Sequence, residues 1–229
     1  EKIVKKEKVQ INQITELNLS HKYLINITNI HLFSQVYKLN LANNKLTNLL
    51  PLENMTIKEL DLQNNQISDV TPLATLQQCS VLNLSCNSVT NIDPLVKMKC
   101  LYELDLRQNK IDDFKQLQPF SKAYHLQKLY LQFKNGNKIA EHPRYRMITM
   151  YFMPYLKYLD FQAIGETEMI QLFYTLHNMS EDALQQFFNP NITEFYELKK
   201  ENERLRSEYQ HLCDDCDKAQ LELNQLQIK

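Results

Sequence analysis

The chain has very little of what most nucleotide-binding and membrane-spanning proteins depend on. It contains two glycines in 229 residues, Gly136 and Gly165, and no tryptophan. A phosphate-cradling loop needs several closely spaced glycines so that the backbone can approach the phosphate, and this composition excludes such a loop. No apolar run approaches the roughly 20 residues that span a bilayer. We therefore expect no membrane-crossing segment.

Charge and cysteine usage narrow the possible partners and compartments. The 26 basic and 27 acidic residues give a net charge of −1, so no bulk attraction to nucleic acid or to a membrane surface is expected. The charged start, EKIVKKEKVQ, lacks the apolar core of a signal peptide. The five cysteines form no clustered pattern, which is typical of a reducing compartment. These features predict a cytoplasmic location.

What the chain does have is one phrase that recurs at an almost constant interval. The phrases read ITELNLSHKYL, VYKLNLANNKL, IKELDLQNNQI, CSVLNLSCNSV and LYELDLRQNKI. They begin at residues 14, 36, 57, 79 and 101, and weaker copies begin at residues 126 and 156. A period of 21–22 residues with the pattern L-x-x-L-x-L-x-x-N-x-L resembles the leucine-rich-repeat family.

That resemblance implies an α/β fold, a right-handed leucine-rich-repeat solenoid with a parallel inner sheet. The fourth and sixth residues of each phrase alternate by two, so their side chains share one face of a short strand. One repeat cannot bury this face alone, and stacking of neighbours is needed to form the core. An asparagine at the ninth position can pair turn backbone groups that would otherwise be buried without partners. These asparagines are Asn44, Asn65, Asn87 and Asn109, whereas the first and sixth repeats carry Lys22 and Lys134 there.

The linking segments and the end of the repeat region support a subclass assignment. Prolines near the second apolar anchor, at positions 51, 72 and 94, fix φ at the start of a short helical turn. The short repeats resemble the intracellular subclass typified by a regulatory subunit of protein phosphatase 1. Residues 141–160 resemble its C-terminal cap, on the matches His142-Pro143, Tyr145-Arg146, Pro154, Leu156 and Leu159-Asp160. We predict an N-terminal flank over 1–13, repeats with their cap over 14–162, a helical linker over 163–189 and a coiled coil over 190–229.

The tail carries a different periodicity. Residues 166–188 predict a helix with an irregular apolar face, containing Ile170, Phe173 and Tyr174. After a break at Asn189-Pro190-Asn191, apolar residues recur at alternating spacings of three and four. Leucine at d positions with a single Asn202 at an a position is typical of parallel dimers, although a heteromeric pairing or a helix folding back on the solenoid stays open. The predicted dimerisation residues are Phe195, Leu198, Asn202, Leu205, Tyr209, Leu212, Cys216, Leu223 and Leu226.

Candidate binding residues lie beside the inward leucines, where side chains point to the opposite face of the sheet. That face is mildly acidic, which favours a partner with basic residues. The later repeats depart from the repeat pattern by carrying tyrosine and arginine, the residues enriched in binding hot spots. The predicted partner-binding residues are Glu59, Asp61, Glu103, Arg107, Tyr130, Phe133 and Tyr158.

No motif in the chain predicts catalysis, a cofactor or a metal site. Cys213 and Cys216 form a single CxxC without the further ligands that structural zinc requires, and the six histidines are scattered. We therefore predict a non-enzymatic adaptor that binds a protein partner through its solenoid and dimerises or docks through its coiled coil. Repeats followed by a coiled coil resemble proteins of cilia, centrosomes and axonemes, which favours a cytoskeletal partner. The alternatives are a regulatory subunit of protein phosphatase 1 and a protein resembling the spliceosomal U2 A-prime subunit.

Overall fold

The repeats form a single sheet that follows the order of the chain. The computed structural model describes residues 11–134 and 136–180, together with residues 183 and 187. The chain divides into two compact units, residues 1–175 and 176–229, and the whole sheet lies in the first. The predicted coiled coil and all its named heptad residues lie outside the described residues.

The sheet has eight strands in sequential order. Strands β1 to β7 pair in parallel, and β8 pairs antiparallel to β7. Strands β1 to β7 each begin two residues into a repeat phrase, as the period-two leucine pattern predicts. The strands are β1 Glu16–Asn18, β2 Lys38–Asn40, β3 Glu59–Asp61, β4 Val81–Asn83, β5 Glu103–Asp105, β6 Lys128–Tyr130, β7 Tyr158–Leu159 and β8 Gln162–Ala163.

Short 3₁₀ helices return the chain from one strand to the next. Three of them have proline in their first two positions, as predicted from the linking segments. Proline suits this position because its missing N–H would have no partner in the first turn. The 3₁₀ helices are Ile11–Gln13, Ile30–Leu32, Leu50–Leu52, Thr71–Thr75, Asp93–Lys97, Phe114–Lys122 and Lys138–Glu141.

The core is one continuous apolar column between the sheet and these turns. It extends from Ile27 to Leu159, and the repeat leucines of β2 to β6 are buried. In the first repeat, Leu17 and Leu19 are only half-buried, because no described repeat precedes them. Cys79 is completely buried at an apolar repeat position, where burial raises the thiol pKa to about 12. This agrees with the prediction that Cys79 acts as a small hydrophobic side chain.

The repeated asparagines form a hydrogen-bond ladder along the turns. Asn87 Nδ2 donates to the carbonyls of Leu62 and Leu84 at 3.0 Å each, and its Oδ1 accepts from the Ile67 N–H at 3.0 Å. Leu84 O also accepts from Nδ2 of Asn109, at 2.9 Å. Each such leucine carbonyl therefore joins two successive repeats. The predicted role of the ninth-position asparagine is confirmed.

The ladder continues one repeat further than the sequence pattern predicts. In the sixth repeat Asn137, and not Lys134, takes the ladder position: its Nδ2 donates to Leu106 O at 2.8 Å and to Leu131 O at 2.9 Å. Asn137 comes six residues after its leucine, whereas the other ladder asparagines come three after theirs. Lys134 stands at the ninth position because three extra residues displace the ladder asparagine of this repeat to position 137.

Two α-helices follow the repeats: α1 Tyr145–Phe152 and α2 Glu166–His177. The helix predicted over 166–188 does not run continuously, because α2 ends at His177; beyond it, the Ser180 hydroxyl accepts a hydrogen bond from the Ala183 N–H at 3.3 Å. Leu172 is the buried residue of α2, whereas Ile170, Phe173 and Tyr174 are exposed.

Candidate functional site: the inner face of the sheet

The inner face is formed by the side chains that flank the buried leucines in strands β1 to β7. The parallel register places equivalent residues side by side, so a charge on one strand lies next to a charge on its neighbour. Lys38 Nζ pairs with Glu59 at 2.7 Å, and Lys128 Nζ pairs with Glu103 at 3.1 Å. In both pairs, the hydrogen bond from the ammonium group to the carboxylate is the main cause that holds the lysine pKa above its ordinary value.

A shallow depression lies across the middle of this face. Its cavity volume is about 280 Å³, and its lining includes Glu59, Asp61, Glu103 and Asp105 around the apolar side chain of Val81. Burial, together with the nearby carboxylate of Asp105, raises the pKa of Asp61 above its ordinary value, against the opposing effect of the Gln63 N–H. The depression is therefore an electronegative region in which one carboxylate is destabilised by its surroundings.

An aromatic and cationic cluster lies at the C-terminal end of the face. The Arg107 guanidinium lies 5.0 Å from the centre of the Phe161 ring and 5.8 Å from that of Tyr130, and the two ring centres are 4.5 Å apart. Arg107 also binds Asp105 through Nε and Nη2, with the shortest contact at 2.6 Å. This hydrogen bond raises the Arg107 pKa further. We call Arg107, Tyr130 and Phe161 the aromatic cluster.

Lys128 lies between two further rings on the same face. Its Nζ is 5.4 Å from the ring centre of Tyr102 and 5.9 Å from that of Tyr158. Both tyrosines keep about two-fifths of their surface exposed. Pairing with Glu103 and contact with two rings hold the ammonium group in one place. The exposed ring surface, and not the lysine charge, is what this group offers to a partner.

Phe161 occupies its place because of a strained hairpin. Asp160 and Phe161 connect β7 to β8 and have φ values of 50° and 66°, as a type I′ turn requires at both central positions. A phenylalanine in this region costs on the order of 1–3 kcal/mol, and such residues concentrate at functional sites. Phe161 is nevertheless 67% exposed. The fold thus maintains an unfavourable backbone conformation for a largely exposed aromatic ring.

The Asp160 carboxylate holds this hairpin against the last repeat. Its Oδ1 accepts from the N–H groups of Leu131 and Gln132 at 2.8 Å each, and its Oδ2 accepts from the Tyr145 hydroxyl at 2.6 Å. Burial is the main cause that raises the Tyr145 pKa, and the Asp160 charge adds to it. Asp160 is therefore occupied by structural contacts and does not contribute a free charge to the inner face.

The structure brings most of the predicted binding residues together in two groups. Glu59, Asp61 and Glu103 line the depression, and Arg107 contacts Tyr130 in the aromatic cluster. Tyr130 is 9% exposed, so it supports Phe161 more than it presents a surface of its own. Predicted residues outside these two groups are Tyr158, which flanks Lys128, and Phe133, which is half exposed and has no partner among the described ring pairs.

Phe161 and Tyr102 were missed by the sequence reasoning. Tyr102 lies one residue before β5 and was therefore not counted on the face. Phe161 follows the last strand of the repeat pattern, where an ordinary repeat continues into its turn. A signal for it was present: Asp-Phe separates two short segments by two residues, the spacing of a tight hairpin.

Other kinds of site were searched for across the described part of the chain. It contains no group of three or more histidine, cysteine, aspartate or glutamate side chains arranged to hold a metal ion. Cys213 and Cys216 lie outside the described residues. Within the same described ranges, no helix combines the length and apolar content needed to cross a bilayer.

Comparison with known proteins agrees with this architecture. A family model of two leucine-rich repeats matches residues 77–119, and a single-repeat model of the same family matches residues 53–70. Residues 53–70 and 77–119 thus match leucine-rich repeats, and the fold is a leucine-rich-repeat solenoid. A search of curated protein sequences found no match to the chain.

Solved structures with the same repeat fold come from several sources. An internalin, InlF, from Listeria monocytogenes is 20% identical with a TM-score of 0.54, over 72% of this chain and 53% of the internalin chain. The chain thus spans about half of that structure's length. The Drosophila melanogaster SNF/U2A′ complex gives 20% identity and a TM-score of 0.48, over 74% of this chain and 84% of that one. Internalin C2 from Listeria monocytogenes gives 27% identity and a TM-score of 0.47, over 71% of this chain and 78% of that one. The InlF likeness shows the shared fold.

Proposed function

We propose that this protein is a non-enzymatic adaptor that binds a protein partner through the inner face of its solenoid. The observation that carries the proposal is the exposed, backbone-strained Phe161 packed on Tyr130 and Arg107. An aromatic ring fixed in one place binds a partner with little loss of side-chain entropy. Aromatic and arginine residues also dominate measured binding hot spots.

The tail supplies the second part of the proposal. The heptads over 190–229 form a parallel homodimer, and dimerisation presents two solenoids to one assembly, which increases avidity when both can bind. The repeats belong to the short intracellular subclass with its C-terminal cap. The combination with a coiled coil supports a cytoplasmic scaffold in a ciliary or centrosomal assembly, on the resemblance to proteins of those structures.

The solenoid proposal is tested by changing Phe161 to alanine in the full chain. Affinity purification with quantitative mass spectrometry should recover a set of proteins with the wild type that is depleted with F161A. Loss of a hot-spot ring costs about 2 kcal/mol or more, or roughly thirtyfold in Kd. The matched control is Tyr124→Ala, which removes an aromatic ring that is 71% exposed in the turn before β6. Equal recovery with F161A and wild type would place the binding surface elsewhere.

The dimer proposal is tested by a charge in the predicted heptad seam. Leu205→Lys places a lysine at a d position and should convert the dimer to a monomer in light scattering, because two buried ammonium groups would face each other. Ser207→Lys adds the same charge at the solvent-facing f position of the same heptad and should leave the dimer intact. A wild-type chain that is already monomeric would contradict the homodimer.

A further inference from the structure

We propose that the partner segment bound by the inner face is basic, with a lysine or arginine of that segment beside Asp61 and an apolar side chain against Phe161. This proposal rests on the proposed function, because it names the chemistry that the same face selects. It commits to a protein segment as the occupant, and charge complementarity on the face is the argument.

The bases of the inner face are already neutralised within the protein. Lys38 is paired with Glu59, Arg107 with Asp105 and Lys128 with Glu103, at 2.6–3.1 Å. Arg107 and Lys128 are further engaged by aromatic rings. An acidic partner or a phosphate group would have to compete with these intramolecular carboxylates for each cation.

Asp61 differs from the paired acids Glu59, Glu103 and Asp105, because no cation of the described chain pairs with it. Its side chain accepts from the Gln63 N–H at 3.0 Å. Asn40 and Asn83 occupy the same register on the two neighbouring strands, and each accepts the equivalent backbone N–H, at 2.9 and 3.0 Å. A neutral asparagine is therefore sufficient for this structural contact. The charge of Asp61 has no structural partner here and remains available to an arriving cation.

The size of the depression agrees with a side chain as its occupant. A cavity of about 280 Å³ lies just below the range of small-molecule and cofactor pockets, about 300–1,000 Å³. It can accommodate one or two side chains of a peptide. Around Asp61, the carboxylates of Glu59, Glu103 and Asp105 keep the local potential negative even though each has an internal cation.

The aromatic surface extends the same preference. Tyr102, Tyr158 and Phe161 present exposed ring surface, and such faces attract cations as well as apolar groups. The subsite at Asp61 is on β3, and the aromatic subsite begins at Tyr158 on β7, four strands away in the sheet. At about 4.8 Å per strand, these two subsites lie roughly 20 Å apart. A partner that uses both must cross the strands with about six extended residues or a longer helix.

The test uses short random peptides displayed on phage, selected against the immobilised full chain. The proposal expects enriched peptides to carry lysine or arginine together with an apolar residue. Selected peptides, synthesised with a fluorescent label, should bind about tenfold more weakly to Asp61→Asn than to wild type, because the variant loses the charge pair between Asp61 and the cation of the peptide. A tenfold change in Kd corresponds to about 1.4 kcal/mol of binding free energy. Raising the salt concentration should weaken binding to wild type more than to D61N. The matched control is Asp112→Asn, which removes an exposed charge outside the inner face.

The outcomes separate this proposal from the proposed function. Peptides that are neutral or acidic, lose affinity with F161A and are unaffected by D61N would overturn the basic-segment proposal and leave the inner face as the binding surface. Selected peptides that are unaffected by both F161A and D61N would overturn both proposals. Because Asn40 and Asn83 show that asparagine fits this register, a weaker D61N complex with an unchanged melting temperature reports on binding and not on folding.

Discussion

The asparagine ladder is the part of this fold whose stability contribution can be worked out most directly. Asn109 is 5% exposed, and its side-chain amide joins its own repeat to the preceding one. Oδ1 accepts from the Val89 N–H at 2.9 Å, and Nδ2 donates to Leu84 O at 2.9 Å and Leu106 O at 3.0 Å. Changing Asn109 to alanine removes these three bonds together with a longer one, from Nδ2 to Arg107 O at 3.3 Å.

The loss of the bonds to Leu84 O, Leu106 O and the Val89 N–H does not cost the same free energy at each site. Leu84 O retains a bond from Asn87 Nδ2 at 3.0 Å, and Leu106 O retains one from Asn137 Nδ2 at 2.8 Å. The Val89 N–H has no such second partner among the residues that the structure describes. A buried unpaired donor costs about 1–3 kcal/mol, and each lost carbonyl bond adds about 0.5–1 kcal/mol. We therefore expect N109A to lower the free energy of unfolding by about 2–5 kcal/mol.

The measurement is urea unfolding of the full chain followed by circular dichroism, with wild type, N109A and Asn91→Ala. Asn91 is exposed and accepts one backbone bond, from the Asp93 N–H at 2.9 Å, so N91A removes an asparagine with one solvent-accessible contact. Its expected cost is below about 1 kcal/mol. The comparison requires that the slope of free energy against urea be the same for the variants. If N109A were no more destabilising than N91A, the reasoning about buried ladder groups would be refuted.

Two further predictions concern the end of the repeat region. Gly136→Ala should destabilise the chain by about 1–3 kcal/mol, because the new Cβ would lie 3.0 Å from Phe133 O and 3.2 Å from Gln108 N. Gly165→Ala should be tolerated, because the nearest atom to its new Cβ is 3.7 Å away. Thermal melting of both variants measures the difference. Glu168→Gln should lower stability at neutral pH by no more than about 1 kcal/mol, because the partly exposed Arg146 partner is screened by solvent. Pairing with Arg146 holds the pKa of Glu168 below its ordinary value in the folded state. The stabilisation is therefore present above the unfolded-state pKa of Glu168 and is lost as the pH falls through its folded-state pKa. In urea unfolding from neutral to acid pH, the difference in stability between wild type and E168Q should disappear.

The repeat architecture could be predicted because its cause is local and periodic. The Leu60 and Leu62 pattern specifies a strand face in any repeat, and the stacking follows because that face cannot be buried otherwise. The ladder role of Asn87 follows in the same way from its fixed distance to Leu84. The same logic failed for Asn137, because a period-based alignment cannot recognise a residue displaced by an insertion.

The candidate site was predicted only in part, for a related reason. Sequence position showed that Arg107 and Tyr130 project from adjacent strands, so their proximity followed from the register. It did not show that the Tyr130 ring is covered by Phe161. The contribution of Phe161 depends on a two-residue hairpin in which both residues have positive φ, which the repeat pattern does not describe.

The sequence by itself determined that this chain stacks leucine-rich repeats, because each of the central repeats carries its own strand, turn and asparagine, and only neighbouring copies can complete them. The tertiary structure alone decided which charges remain available on the inner face. Lys38, Arg107 and Lys128 are ordinary surface bases in the sequence, and the sheet register places each within reach of a carboxylate. Asp61 received no such partner. Whether a charge is neutralised depends on distances of a few ångströms between strands, and these distances are fixed only when the repeats have stacked.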